Sequence, residues 1–465
     1  MKKFVLFLLL SVTMVSHAQE LRLKKGVVLD TIPMVSDSLA SYALYLPTSF
    51  TMNTKWPVLF AFDPQGDGQK AVNVFKGIAE KYGIIVVASN TIKNDLLETN
   101  LVKFNKLSIE IAKNFPVNSS RIFTAGLSGG ARLATTIAVI SKKMEAVIAC
   151  GASFSTNVAY YPQKPNFYFI GIVGKEDFSY VEMTSAKTYL DNKKIPNELL
   201  VFNGGHNWPD EQTIDRAFNW IQFQYLLKNK KLSTEQIEKQ YTAYLKLADS
   251  IANIDKEAAI RYLNRISENY KMVSGTDSLK KKIRILKKDP VYKANLRRDQ
   301  EAILEEEDLK SMYALYFQED IEKVNMDNLA WWENQFKQID SFTVSKDYFK
   351  VRTGKRIQGL FYTAAKEVAM TLKDSTSSEK WLYINIFTTL VNKKDRKAYF
   401  NIIQYGAQKL NYDLALYYTE ELFENGFTDL EKLKSISGAS LFFVSPAYLE
   451  LEDTYFEIEN IENSN

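Results

Sequence analysis

From its beginning to about residue 228 the chain alternates short apolar runs with stretches of helical spacing. The runs are "VVLDT" (27–31), "YALYLP" (42–47), "PVLFAFD" (57–63), "IIVVAS" (84–89), "RIFTAG" (121–126), "AVIACG" (146–151), "FYFIGIVG" (167–174) and "ELLVFN" (198–203). Each has the length of a strand. Most are apolar at nearly every position, the mark of strands buried on both faces. Helical patterns lie between them: after 63 up to Tyr82, in "LVKFNKLSIEIAKNF" (101–115), from about Ser128 to Ser141, between the last two runs, and in "IDRAFNWIQFQYLL" (214–227). Strand and helix in alternation predict a mostly parallel sheet covered on both sides.

The texture then changes. Of the 19 glycines, 13 lie in residues 1–228, and of the 11 prolines, 9 do. The rest of the chain has few turn formers and long amphipathic patterns, such as "STEQIEKQYTAYLKLADSIAN" (233–253) with apolar residues three and four apart. A boundary is expected within "LLKNKKLSTEQ" (226–236), giving a sheet domain over 19–228 and a helical domain over 229–465. The runs Lys280–Lys282 and Glu305–Asp308 read as solvated helix faces. Near the end, "NYDLALYYTEELFENGFTDLEKL" (411–433) has the Ala, aromatic and Gly spacing of a helical hairpin and resembles a degenerate tetratricopeptide repeat. No fixed period runs through the region, so an α-solenoid is an expectation resting on this one hairpin.

Composition adds limits. With 46% hydrophobic and 25% charged residues the chain reads as a globular protein, and a formal charge of +4 over 465 residues gives no basic surface for nucleic acid. "MKKFVLFLLLSVTMVSHAQE" opens with Lys2 and Lys3, continues in a 12-residue apolar run from Phe4 to Val15, and ends on small residues Ser16 and Ala18. That is a secretory signal peptide cut after Ala18. The run is shorter than the roughly 20 residues that span a bilayer, and no later segment is apolar enough to span one. The protein is expected to be exported, to the periplasm or beyond, in a bacterial envelope. Cys150 is the sole cysteine and sits in the apolar "EAVIACGASF", where a buried, inert thiol is expected. With no disulfide, stability must come from core burial.

The chemistry begins at Gly126-Leu127-Ser128-Gly129-Gly130, a G-x-S-x-G pattern at the end of an expected strand. A serine hydroxyl needs a base within hydrogen-bond reach, and the base needs a group to orient it. Of the two histidines, His17 leaves with the leader, so the base must be His206, in "FNGGHNWPD" after the last strand. The orienting acid is expected in "IVGKEDFSY", where Asp177 follows a strand end and Glu176 is the alternative. Ser128, Asp177 and His206 each follow a strand of the expected parallel sheet, where open α/β sheets place their ligands. One cysteine and one retained histidine leave little for a zinc site.

With "YALYLP", "PVLFAFDPQGDG", "RIFTAGLSGGARLA", "IVGKEDFS" and "GGHNW", the chain resembles the α/β-hydrolase superfamily over about residues 25–228. It looks most like compact secreted esterases grouped with feruloyl esterases, dienelactone hydrolases and polyhydroxybutyrate depolymerases. The resemblance implies hydrolysis of a small or oligomeric ester through Ser128, Asp177 and His206, by way of an acyl-enzyme and without metal or cofactor. It also implies an oxyanion hole of two backbone N–H groups. One belongs to Gly129. The other comes from the loop after the third strand, where "FDPQGDG" stands in place of the family's His-Gly-x-Gly; aligned on Gly66, the donor is Gln65. Only "ASFSTNVAYYPQKPN" follows the sixth strand, too short for a helical lid. The site is therefore expected to be open unless the C-terminal helices cover it.

Some readings stay open at this stage. Tyr160 and Tyr161 either line an acyl or aromatic pocket or pack on the surface. Trp208 reads as a packing residue. The helical half could serve as a lid, a surface for self-association or a docking module for a protein partner. A hydrolase scaffold without catalysis, its helices engaging a partner, is one alternative. A serine peptidase or acyltransferase with the same three residues is another.

Overall fold

The computed structural model describes residues 24–462 except 165, 271–275, 373–374 and 376–377. The expected leader, residues 1–18, lies outside the described residues.

The apolar runs form one 8-stranded sheet: β1 (Val28–Pro33), β2 (Ser41–Tyr45), β3 (Trp56–Phe62), β4 (Ile85–Ser89), β5 (Val117–Leu127), β6 (Ala146–Cys150), β7 (Tyr168–Gly174) and β8 (Asn197–Phe202). Their order across the sheet is β1-β2-β4-β3-β5-β6-β7-β8. β2 is antiparallel to both neighbours, and all pairs from β4 through β8 are parallel. This is the α/β-hydrolase fold. Every residue of β4 and β6 is buried, which explains why these strands read as unbroken apolar runs. β5 is longer than "RIFTAG" suggests. It starts at Val117, opposite Trp56, and the register shifts before Ile122 pairs with Val58.

Helices cover both faces. α1 (Gly68–Tyr82) and α5 (Glu211–Lys228) pack on one, through Phe75, Ile78, Ile214 and Phe218. α2 (Leu97–Asn114), α3 (Gly129–Ser141) and α4 (Tyr180–Asn192) cover the other, through Phe104, Ile111, Ala134, Ile137 and Leu190. Burial on both sides removes each strand's side chains from water, and that burial is the main force holding such a sheet together. Cys150 is fully buried at the end of β6, and burial pushes its thiol up, away from the reactive thiolate.

Beyond Lys228 the described residues are helical: α6 (Thr234–Ala252), α7 (Lys256–Asn269), α8 (Thr276–Lys288), α9 (Pro290–Lys323), α10 (Leu329–Thr343), α11 (Tyr348–Thr371), α12 (Glu379–Val391), α13 (Arg396–Gln408), α14 (Tyr412–Glu424), α15 (Leu430–Lys434) and α16 (Pro446–Glu462). The starts are written in the sequence. Ser233 and Gln236 close a reciprocal capping box on α6. Asp289 caps α9, with Pro290 in the first turn. Most helices pack on a neighbour in sequence, though α9 lies chiefly against α11, and three apolar cores follow one another: around Leu263 on α6–α8, around Trp332 on α9–α12, and around Phe442 on α13–α16. At the hairpin of α13 and α14 a Cβ on Gly406 would stand 3.2 Å from that of Ala415, so small residues set the approach. Helices of 34, 15, 24 and 13 residues in succession give no fixed repeat length. No helix among the described residues is long and apolar enough to cross a membrane.

One place where the two halves meet is Glu198, at the start of β8. Burial pushes its carboxyl up to about 7, although Arg265 of α7, 3.6 Å away, and Lys187 oppose the shift. An acid whose folded value is raised holds its proton longer when folded. The fold therefore loses stability as pH climbs from the ordinary carboxylate range through about 7. Glu198→Gln is expected to raise the melting temperature by several degrees at about pH 8, and by much less at about pH 5, read by scanning calorimetry at the two pH values.

Candidate active site

Ser128 stands at the sharp turn from β5 into α3, with φ of 54° and ψ of −123°. A non-glycine residue there is strained and must be held by its surroundings. The two glycines of the motif make the turn sterically feasible. A Cβ on Gly126 would lie 2.1 Å from the Gly130 carbonyl, and one on Gly130 would lie 2.1 Å from the carbonyl of Phe62 on β3. The Ser128 N–H donates to the Cys150 carbonyl at 2.9 Å, tying the turn to the end of β6. Gly129 opens α3, so the helix itself leaves its N–H without a partner.

The loops after β7 and β8 bring Asp177 and His206 together. Their backbones run so close that a Cβ on Gly174 would lie 2.1 Å from the Gly204 carbonyl, and the Glu176 N–H donates to that carbonyl at 2.9 Å. Asp177 is 1% exposed. Its Oδ1 lies 2.9 Å from His206 Nδ1 and accepts the Ser179 N–H at 2.8 Å. Gly151, at φ of 63°, leaves room for the pair: a Cβ there would stand 3.0 Å from the imidazole and 3.1 Å from Asp177 Oδ2. Phe178 stacks on the imidazole with ring centroids 4.1 Å apart. Glu176, the alternative acid, turns outward to Lys355 at 2.8 Å. With Nδ1–H donated to Asp177, His206 Nε2 carries the free lone pair. Nε2 is buried without a hydrogen-bond partner among the described residues, so Ser128 and His206 are not bonded to each other; both line one cavity of about 520 Å³. Such bonds often close only around substrate.

Gln65 also lines this cavity, but its N–H is not presented as the family pattern implies. It donates to Asp63 Oδ1 at 2.9 Å, and Asp63 Oδ2 accepts Trp208 Nε1 at 2.9 Å. The acid that replaces the family's histidine thus folds the loop around itself and engages the expected donor. Trp208 packs edge-on against Phe75. Of the two readings left open for Tyr160 and Tyr161, the structure favours packing: neither is among the residues lining this cavity. Tyr161 packs in an aromatic cluster with Phe154 and Tyr189, and Tyr160 sits in a short 3-10 turn.

Two features escape the sequence. The first is Asn94, in the loop after β4. Its side-chain oxygen presses on Gly129, where a Cβ would meet it at 2.0 Å, and Asn94 separates the cavity from a second groove of about 370 Å³ along Gly129, Gly130 and Arg132. The second is α11. Its Tyr362, Thr363, Lys366, Glu367 and Met370 form the wall facing Ser128 and His206, and Glu367 accepts the Asn94 amide at 2.8 Å. Tyr362 and Lys366 are in turn fixed on Asp395, at 2.8 and 2.7 Å. Burial, then the Asp395 carboxylate, pushes the Tyr362 hydroxyl up to about 12. The site has no inserted lid, and a helix from the other half covers it. No local signal marks α11 for this role, because its contact with the sheet half spans some hundreds of residues of chain.

No protein-family model and no curated protein matches the chain. Solved structures do. A substrate-bound fluorophosphonate-binding serine hydrolase, FphF of Staphylococcus aureus, is 15% identical, with a TM-score of 0.36 over 42% of this chain and 97% of that one. A ferulic acid esterase is 19% identical, with a TM-score of 0.34 over 42% and 97%. An esterase of the archaeon Pyrobaculum calidifontis is 13% identical, with a TM-score of 0.35 over 45% and 88%.

Gly151→Ala is expected to cost about 1–2 kcal/mol from the left-handed backbone alone, with a further loss from the contact with His206. The shift in the midpoint of a urea titration measures it.

Proposed function

We propose that the protein is an exported serine hydrolase that cleaves carboxylic esters, with Ser128 as nucleophile, His206 as base and Asp177 as the group that orients and stabilises the imidazole. The observation that carries this reading is the buried Asp177–His206 pair, with its free Nε2 in the same cavity as a serine held on a strained strand-to-helix turn. His206 Nε2 takes the Ser128 proton as Oγ adds to the ester carbonyl. The charge that develops on the imidazole faces the Asp177 carboxylate. The carbonyl oxygen becomes an oxyanion beside the Gly129 N–H at the start of α3, where the helix dipole also favours negative charge. His206 then gives its proton to the departing alcohol. Water, activated by the same imidazole, clears the acyl group from Ser128.

Cavities on either side of Asn94 suit the two parts of an ester, one running under α11 and the other along Gly130 and Arg132. Gln65 can serve as second oxyanion donor only by exchanging its bond to Asp63 for one to substrate. We take residues 1–18 to be removed on export.

Purified mature protein is expected to hydrolyse short and medium p-nitrophenyl esters and to be labelled by a fluorophosphonate. Ser128→Ala should lose all labelling and lower turnover by about 10⁴-fold or more. Neither turnover nor labelling in the unmodified protein would sink the hydrolase reading and favour a scaffold without catalysis.

A further inference from the structure

We propose that the helical half positions the active-site acid: Arg356 of α11, helped by Lys355 and by Lys310 of α9, clamps the loop Lys175–Phe178 and thereby holds Asp177 against His206. This rests on the reading of Ser128, Asp177 and His206 given above.

Every neighbour of Asp177 in this loop is gripped from the other half of the chain. Arg356 Nε and Nη2 both donate to the Lys175 carbonyl, at 2.9 and 2.6 Å. Lys355 pairs with the Glu176 carboxylate at 2.8 Å. Lys310 Nζ donates to the Phe178 carbonyl at 3.0 Å. The Phe178 ring that stacks on His206 also meets α11, where a Cβ on Gly359 would stand 3.5 Å from it. The acid loop thus has sheet-half contacts on the His206 side and helical-half contacts on the other.

The chemistry of the grip is not that of simple adhesion. Arg356 is 1% exposed and Glu306 is fully buried. The guanidinium bonds Glu306 Oε2 at 3.0 Å, Lys310 meets Oε1 at 2.5 Å, and Tyr180 lies under the guanidinium at 4.2 Å. Burying a carboxylate between two cations recovers little net stability, and apolar side chains of similar volume would hold two surfaces together at least as well. A planar guanidinium giving two N–H groups to one carbonyl fixes a position, which an apolar contact does not. The carbonyl so fixed lies two residues before Asp177. Arg356 touches neither Ser128 nor His206, so its role is positioning rather than catalysis.

The test uses the full mature chain, with no tag histidine, in which His206 is the one histidine. ¹⁵N-histidine labelling then makes the downfield Nδ1–H proton of the Asp177 hydrogen bond directly assignable. Three variants separate positioning from folding. Arg356→Lys keeps a cation beside Glu306 but loses the paired bonds to Lys175. Glu306→Gln with Arg356→Met removes both buried charges at once. Lys355→Met is a surface change that leaves the buried ions in place. In folded variants the Nδ1–H signal should broaden or vanish, and fluorophosphonate labelling of Ser128 should slow, by about 10- to 100-fold for the two Arg356 variants and less for Lys355→Met. KM for a p-nitrophenyl ester should stay within about 3-fold, because the clamp acts on the acid and not on the substrate. Folded variants that keep the wild-type Nδ1–H signal and labelling rate overturn the proposal, leaving Arg356 an interface residue only. If the unmodified protein neither labels nor turns over, the hydrolase reading fails, and the Nδ1–H signal alone still decides whether Arg356 holds Asp177.

Discussion

A buried carboxylate with little access to water is the constraint on which the site depends. A carboxylate at the depth of Asp177 needs hydrogen-bond partners, since an unpaired buried charge costs several kcal/mol. Asp177 takes one bond from the Ser179 backbone and one from His206. Those two bonds dictate the rest. They fix which imidazole nitrogen carries the proton, and so which is free to act. They require Gly151 to be without a side chain and the loops after β7 and β8 to touch through Gly174 and Gly204. Ser128 meets the same geometry from the other side, its backbone tied to the end of β6, one residue before Gly151. Four strand ends thereby converge on one place, and the strain at Ser128 is borne by a sheet too rigid to release it.

The cover on this site has an unusual origin. No segment long enough to form a lid is inserted after β6. The chain completes the sheet half, passes through α6 to α10, and returns with α11 to face Ser128 and His206. Packed against α9, α10 and α12, α11 is supported by the core around Trp332, to which it contributes Phe361 and Ile357. A wall built on a packed helix is stiffer than one on a loop.

How much of this is legible in the sequence follows the range of the interactions. The strands are legible because burial on both faces writes an unbroken apolar run. Ser128, Asp177 and His206 are legible as candidates because scarcity helps: the chain has two histidines, one of them within the expected leader, and strand ends limit a candidate acid to Glu176 or Asp177. Choosing between those two needs the structure, since one carboxylate turns to His206 and the other to Lys355. The state of Gln65 is not legible from sequence because a neighbouring side chain, Asp63, takes up the same N–H. Tyr160 and Tyr161 suggest a pocket by their proximity in sequence to a strand end, yet Tyr161 finds better burial against Phe154 and Tyr189. Asn94, Glu367 and Arg356 carry no motif. Their roles exist only once two distant parts of the chain are in contact.

In the proposed reaction the two halves divide the labour in a way that limits how each can vary. Bond making falls to the strand ends of the sheet half, where side chains at Gly126 and Gly130 would run into backbone. The face that substrate meets opposite Ser128 belongs to α11, and its side chains are held by Asp395 and Asn94 rather than by the catalytic groups. A change at Thr363 or Met370 reshapes the cavity without touching the acid, the base or the nucleophile. A change two turns earlier, at Arg356, reaches the acid loop itself. One helix therefore carries both a wall of the Ser128 cavity and the side chain that holds the Lys175 carbonyl of the proposed acid loop. A shift of α11 large enough to alter the first must also disturb the second, which couples substrate fit to the alignment of Asp177 and His206 through a single rigid element.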